Sequence, residues 1–366
     1  MVLSPAYLKG IFMNKKSAKD IARDLNLSIG TVYRALNGTG RVSEKTKQLV
    51  NEYAEKVHYQ SNTIAQGLAK RKKLRFMYII PNEPSEWWTF FYSGAKQAMD
   101  ELEDFGVEFV IYRISYSTVE GRLGCYDYIT NHEINGIILS PSVHPEILAT
   151  IDYAYAHEIP VVAVNGDFQL PSERLFYYGP NEEQTGRITA ELMGKFLGGH
   201  GKVTIIGKNN IDYYRPPLRR QGFISFLSQA FPDITIDRNL ILSENKVKDS
   251  VRSLLKDPSN RPDGIYANES MVLGEVAAVL EEMNISNICL IGHEGHTPNP
   301  DYLKRGIVSA LVCEETFSQG YYPFKLLYNY LLTGVVPDSF YYSNVNIILK
   351  SNVHLLAMHD VGCGFM

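Results

Sequence analysis

Cysteine is scarce in this sequence: four residues in 366, Cys125, Cys289, Cys313 and Cys363, with no CxxC pair among them. That spacing argues against a disulfide framework or a structural zinc site, and fits a reducing, cytoplasmic location. No run approaches the ~20 consecutive apolar residues of a membrane-spanning helix. The opening MVLSPAYLKGIFMNK lacks the charged start, long apolar run and small-residue cleavage site of a signal peptide. Three catalytic signatures are also missing: the G-x-S-x-G elbow, the G-x-x-x-x-G-K-[ST] phosphate loop, and a G-x-G-x-x-G after a first strand. An enzyme is therefore not expected, nor a cofactor. A hydrophobic fraction of 45% with 21% charged residues excludes a mainly disordered or fibrous chain. At roughly 150 residues per domain the length suggests two or three domains.

The net charge of -4 conceals an asymmetry. Residues 1–75 carry 15 Lys and Arg against 5 Asp and Glu, while the remainder carries 21 against 35. A basic head on an acidic body suggests that the head meets a polyanion; the alternative is a solvated basic tail.

The head has helical grammar. Ser17-Ala18-Lys19-Asp20 is an S-x-x-D helix start, followed by Ile21, Ala22 and Leu25 at helical spacing and a stop near Asn26. Ser28 can cap a second helix, Ile29 to Leu36, with Val32 and Leu36 facing inward and Asn37-Gly38 closing it. Ser43 opens a third, with Leu49, Val50, Tyr53 and Val57 as its apolar stripe. Two short helices joined by a tight turn and braced by a third form a helix-turn-helix, whose second helix enters the DNA major groove.

The residue string carries more than the spacing. Asp20-Ile21-Ala22, then Ser28-Ile29-Gly30-Thr31-Val32-Tyr33-Arg34-Ala35-Leu36-Asn37-Gly38, then Val42-Ser43-Glu44-Lys45-Thr46 resembles the headpiece of the lactose-repressor (LacI) family of bacterial transcription regulators. Asn62-Thr63-Ile64-Ala65-Gln66-Gly67-Leu68-Ala69 resembles that family's hinge helix. The resemblance implies DNA-binding roles for Ser28, Ile29, Gly30, Thr31, Tyr33, Arg34, Asn37, Asn62, Ala65 and Leu68. Ile29, Gly30 and Arg34 would read base edges, and Arg34 can bond guanine O6 and N7 together. Thr31, Tyr33 and Asn37 would contact or order the backbone, and Leu68 would wedge into a minor-groove step. Tyr33 stands where the family usually has a small serine, and Ser61 where it often has proline. The run Lys70-Arg71-Lys72-Lys73 suits either phosphate contact or a solvated linker.

From Leu74 onward short apolar runs alternate with amphipathic segments, beginning with Arg75 to Pro81, a helix over 93–105 and a strand over 107–112. Two successive sets of roughly five such units predict two doubly wound parallel sheets, hence two lobes with a cleft between them. The expected organisation is a small all-α helix-turn-helix headpiece (1–60), a hinge and linker (61–73), and a two-lobed α/β domain (74–366). Lobe 1 is expected at about 74–165 and 310–335, and lobe 2 at about 166–309 and 336–366.

This region resembles the family's effector domain, itself similar to periplasmic sugar-binding proteins. Arg219-Arg220-Gln221-Gly222-Phe223 resembles an R-x-x-G-F motif whose arginine bonds ligand hydroxyls, and Ile291-Gly292-His293-Glu294 stands at a V-G-x-D position. The implied effector-binding residues are Arg219, Glu294, Asn268, Asn165 and Glu314. Trp87, Trp88 and Phe91, after the first strand, could stack on a sugar ring, cap the lobe or pack in a dimer. Glu for Asp at 294 and Asn for Asp at 165 depart from the family's pattern. Carboxylates, amides and one arginine favour a neutral sugar or polyol over a phosphorylated ligand. His293-Glu294-Gly295-His296 is H-E-x-H, whereas the metalloprotease helix needs H-E-x-x-H, so no metal site is expected.

The expectation is a cytoplasmic, homodimeric repressor of carbohydrate or polyol genes, binding a palindromic operator and a small-molecule effector, with no membrane partner. The effector either releases DNA or tightens binding. The rival reading is a solute-binding or interaction protein with only nonspecific DNA affinity.

Overall fold

The protein is described from a computed structural model, covering residues 18–37, 42–56, 73–82, 86–115, 118–168, 173–208, 215–243, 246–294 and 298–356. The chain divides into two compact units, Met1–Lys72 and Lys73–Met366.

In the first unit three helices are described: α1 (Ala18–Asp24), α2 (Ile29–Asn37) and α3 (Glu44–Lys56). The starts of α2 and α3 are fixed by side chains, as the sequence predicts, while the Ser17 start expected for α1 lies outside the described residues. The Ser28 hydroxyl accepts from the Thr31 amide at 3.1 Å, and the Ser43 hydroxyl from the Thr46 amide at 3.2 Å. Each bond satisfies an amide that the first helical turn leaves without a partner. Asn26 takes a left-handed φ of 52°, turning the chain between α1 and α2. Ile21, Ala22, Val32, Ala35, Val50 and Ala54 form the small core, and Tyr53 donates to Asp24 at 2.9 Å. Leu49 departs from the expected stripe: it is 47% exposed, because the inward face of α3 runs through Val50, Tyr53 and Ala54.

The second unit holds two six-stranded sheets. The first sheet contains β1 (Leu74–Pro81), β2 (Val107–Ile114), β3 (Gly136–Leu139), β4 (Val161–Val164), β5 (Phe176–Gly179) and β11 (Phe340–Tyr342), in the order β11-β5-β4-β3-β1-β2. The second contains β6 (Gly201–Lys208), β7 (Ile234–Leu242), β8 (Gly264–Ala267), β9 (Cys289–His293), β10 (Ala310–Glu314) and β12 (Val345–Ile348), in the order β12-β10-β9-β8-β6-β7. All pairings are parallel except β10 with β12. Helices cover both faces, so the strands are nearly continuous apolar runs. Along β1, Phe76, Tyr78 and Ile80 enter one core while Met77 and Ile79 enter the other. Each large apolar side chain so buried contributes about 1.5–3 kcal/mol.

Sheet pairing corrects the expected lobe boundaries. β5 lies beyond the expected end of lobe 1 yet pairs with β4, and β11 pairs with β5. Residues 310–314, expected in lobe 1, form β10, and its Ala310, Leu311 and Val312 pair with Ile291, Gly292 and His293 of the second sheet. Lobe 1 is therefore 74–179 with 316–342, and lobe 2 is 182–314 with 345–348. The chain passes between lobes three times, at 180–181, at 315 and at 343–344. These crossings are bonded together: Ser343 N donates to Gly179 O at 2.9 Å, Glu315 N to Asn344 O at 3.1 Å, and Asn344 Nδ2 to Glu315 Oε2 at 3.0 Å.

The remaining helices are α4 (Glu86–Glu103), α5 (Val119–Asn131), α6 (Pro145–Ala156), α7 (Glu182–Phe196), α8 (Arg215–Ala230), α9 (Val247–Leu255), α10 (Ser270–Glu282), α11 (Asn299–Arg305) and α12 (Thr316–Thr333). In each lobe the helix arriving from a crossing packs on the helix after the first strand, and glycines set the approach. An added Cβ on Gly94 of α4 would run into the Phe317 carbonyl, and one on Gly320 of α12 into the Phe91 carbonyl. On α7 and α8, Gly186 faces the Arg219 carbonyl and Gly222 the Glu183 carbonyl in the same reciprocal way. Gly320→Ala and Gly222→Ala should each cost about 1–3 kcal/mol by overpacking against backbone. Gly274→Ala on α10, whose nearest neighbour would be the Asn299 side chain at 3.3 Å, should be tolerated. Equal melting temperatures for the three variants would refute the close-contact account.

Candidate DNA-reading helix and effector site

On the headpiece, α2 carries the expected reading residues. Ser28 and Arg34 are exposed, and Thr31 is half-buried beneath its cap bond. Val32 and Ala35 anchor the opposite face in the core. Ile29, Gly30, Tyr33 and Asn37 lie on the helix backbone. Asn62, Ala65 and Leu68 fall outside the described residues, as does the hinge apart from Lys73.

In the second unit the structure brings together three of the expected effector residues. Arg219, on α8, is buried with its guanidinium shared among partners. Nη2 meets Glu314 Oε1 at 2.7 Å, Nε meets Glu182 Oε2 at 2.7 Å, and Nη1 reaches the Asn268 carbonyl at 3.4 Å. Glu314 ends β10, Asn268 follows β8, and both are buried. Gln319 of α12 lies 3.5 Å from Glu314 Oε2, linking this cluster to lobe 1. Two further acids were not anticipated from sequence. Glu182 opens α7, where the helix N-terminus favours negative charge, and that first-turn position was its only local signal. Glu269, beside Asn268, accepts from the Lys208 amide at 2.9 Å. Burial pushes its carboxyl above the ordinary range, against the Lys208 amide bond and the charges of Arg219 and Lys208.

Asn165 and Glu294 occupy equivalent places in the two sheets. Asn165 follows β4 and bonds Tyr178 O at 3.2 Å; Glu294 follows β9 and bonds Val312 O at 3.1 Å. Both have φ of 67°. Asparagine enters this left-handed region readily, whereas glutamate does so at a cost of about 1–2 kcal/mol.

The aromatic group divides. Trp87, Trp88 and Phe91 belong to α4 rather than to a loop after β1. Phe91 is fully buried in the lobe 1 core, near-parallel to Tyr78 at 6.3 Å and edge-on to Trp88 at 5.3 Å. It is a core residue, because the inward face of α4 runs through Phe91, Ala95, Ala98, Met99 and Leu102. Trp88 is half-buried at the margin of that core. His293 is buried in β9, His296 lies outside the described residues, and no metal-binding cluster of three or more side chains occurs among the described residues.

Two variants test this geometry. Arg219→Ala leaves two buried carboxylates facing each other and should cost about 3–5 kcal/mol. A melting temperature equal to that of the parent protein would refute the charge account. Glu294→Asn, which suits the left-handed backbone, should raise the melting temperature, and an unchanged or lower value would mean that the surrounding contacts absorb the strain.

The sequence matches the description "Bacterial regulatory proteins, lacI family" over residues 17–62 and "Periplasmic binding protein domain" over residues 76–334. The HTH-type transcriptional regulator pepR1 of Lactobacillus delbrueckii subsp. lactis is 27% identical over 172 residues, 45% of this chain and 49% of that protein, so the match spans about half of that relative. Catabolite control protein A of Staphylococcus epidermidis is 24% identical over 260 residues, 67% of this chain and 71% of that protein. In fold, the chain is similar to GanP, a glucose-galactose binding protein of Geobacillus stearothermophilus, with a TM-score of 0.67 at 20% identity over 77% of this chain and 99% of that one. With a LacI-family helix-turn-helix domain at residues 17–62 and two doubly wound lobes after it, the chain belongs to the periplasmic binding protein domain family.

Proposed function

We propose that the protein is a ligand-responsive repressor that binds a palindromic operator as a homodimer in the cytoplasm and takes a sugar or polyol at the strand ends of its second unit. The observation that carries the reading is the convergence of Arg219, Asn268 and Glu314 at the ends of β8 and β10, in a chain whose headpiece presents Arg34 on an exposed helix face. The relatives' names, transcriptional regulator and catabolite control protein, and the sugar named for GanP support both halves of it. Because the chain crosses between lobes three times, a ligand that changes the lobe angle acts on all three crossings. A coupling of about 1–3 kcal/mol between effector and operator is the expected scale.

Sites selected from random duplex DNA test the first half. The selected site should bind ~10³-fold or more tightly than nonspecific DNA at physiological salt. Arg34→Ala should flatten the motif at one position per half-site, at about 1–3 kcal/mol. A ratio near one would favour a solute-binding protein with nonspecific DNA affinity. Melting shifts with D-ribose, D-arabinose, D-glucose, D-galactose, their phosphates and common polyols test the second half. The fluorescence of Trp87 and Trp88, the chain's two tryptophans, gives an independent readout. A saturable response to a neutral sugar or polyol is expected, and a response confined to phosphates would overturn the assignment.

A further inference from the structure

Beneath the effector residues runs a buried polar chain that the reading above does not use. Tyr266 of β8 and His293 of β9 are both fully buried. Tyr266 Oη lies 2.8 Å from His293 Nε2 and 2.8 Å from Asn268 Oδ1. Phe223 stacks on the Tyr266 ring with centroids 4.2 Å apart, and the His293 ring meets Tyr266 edge-on at 5.6 Å. Phe223 sits one helical turn after Arg219, so α8 grips Tyr266 with one side chain and the Asn268 carbonyl with the other.

A phenol has one proton to give, and an amide oxygen can only accept. With Tyr266 donating to Asn268 Oδ1, its bond to His293 requires the imidazole to donate from Nε2. Burial drives the Tyr266 phenol far above its ordinary range, so the proton stays on it. The Asn268 amide is thereby turned one way, with its oxygen on Tyr266 and its nitrogen toward Gly207, where an added Cβ would sit 3.7 Å from Nδ2. Gly207 lies near the end of β6, whose Ile206 pairs with Ala267. The two ends of an amide are alike in shape and opposite in hydrogen bonding, so whatever fixes the orientation fixes what the site recognises.

We propose that Tyr266 and His293 are positioning residues of the effector site: the relay from His293 Nε2–H to Tyr266 Oη–H to Asn268 Oδ1 holds the Asn268 amide so that its NH2 meets the effector, and the site selects an acceptor oxygen at that point. The inference rests on the sugar or polyol reading of this site.

The relay can be tested without an effector. In full-length protein with its nine histidines labelled with 15N, a long-range 1H–15N spectrum at pH 7.5 should show one neutral histidine protonated on Nε2. That proton should exchange slowly, the signal should vanish in His293→Phe or His293→Gln, and its protection should be lost in Tyr266→Phe. A His293 protonated on Nδ1, or charged, would mean the relay runs the other way and would overturn the proposal. The second arm uses the melting response to D-ribose, D-arabinose, D-glucose and D-galactose. Asn268→Asp keeps an oxygen for Tyr266 and replaces the NH2 by an acceptor, so it should abolish the response. Tyr266→Phe, which keeps the stack on Phe223, should weaken it about tenfold, while His293→Gln, whose amide can still donate, should retain it. An Asn268→Asp protein that responds like the parent would also overturn the proposal. If the parent responds to none of these sugars and to none of the polyols, the effector reading is what fails, and the histidine spectrum alone decides the relay.

Discussion

A guanidinium held between two carboxylates away from water governs how the second unit is put together. Arg219 gains little simply from being buried, because removing three charged groups from water costs several kcal/mol per ion and is offset only by near-ideal geometry. Contacts of 2.7 Å to both Glu182 and Glu314 supply that geometry. The partners are placed with consequence: Glu182 is the first helical residue after one interlobe crossing, and Glu314 the last strand residue before another. The third crossing is bonded to both neighbours through Ser343 and Asn344. One side chain on α8 thus anchors the segments about which the lobes can turn, and in the proposed function a ligand that competes for its bonds acts at that hinge.

Around this anchor the two lobes repeat one construction. The strand orders β2-β1-β3-β4-β5 and β7-β6-β8-β9-β10 are the same, the helix pairs meet through reciprocal glycines, and β4 and β9 are followed by residues with the same φ. Repetition explains why Glu294 accepts a conformation that costs it something. The backbone there is set by the strand end and its bond to Val312, and Asn165 shows that the same turn can be made cheaply. A strained residue kept at a strand end, its charge felt by the buried Glu269 carboxyl, is characteristic of sites selected for binding rather than stability.

Legibility in the sequence followed sequence distance. The headpiece was readable because its determinants are local: Ser28 and Ser43 cap helices that begin within a residue of them, and the apolar spacing selects the buried face. Most strands of the second unit were readable as apolar runs between helices. β5, β10, β11 and β12 were not, since strands of three to five residues have little periodicity and take their place from partners far along the chain. β10 is an apolar run, but nothing local says which sheet it joins; its pairing with β9 does. The same holds for the site. Arg219, Asn268 and Glu314 were found through motif and strand position, whereas Glu182, 37 residues from Arg219, and Tyr266, 27 from His293, are joined to the site only by folding. Phe91 stayed open between ligand and core, because an aromatic after a strand suits either, and it was decided only by a helix that begins early enough to turn it inward.

Charge narrows what the second unit can accept. Glu182 and Glu314 hold Arg219 directly, and Glu269 registers the charges of both Arg219 and Glu294. Arg219 is already committed to two of these carboxylates. A phosphate or carboxylate entering here would add negative charge to a buried cluster that is net negative, and would have to displace a glutamate to reach the guanidinium. Hydroxyl groups face neither obstacle, because each can donate to a carboxylate and accept from an amide or from Arg219 without bringing charge. The same balance that secures the hinge therefore favours a neutral, polyhydroxylated effector over an anionic one.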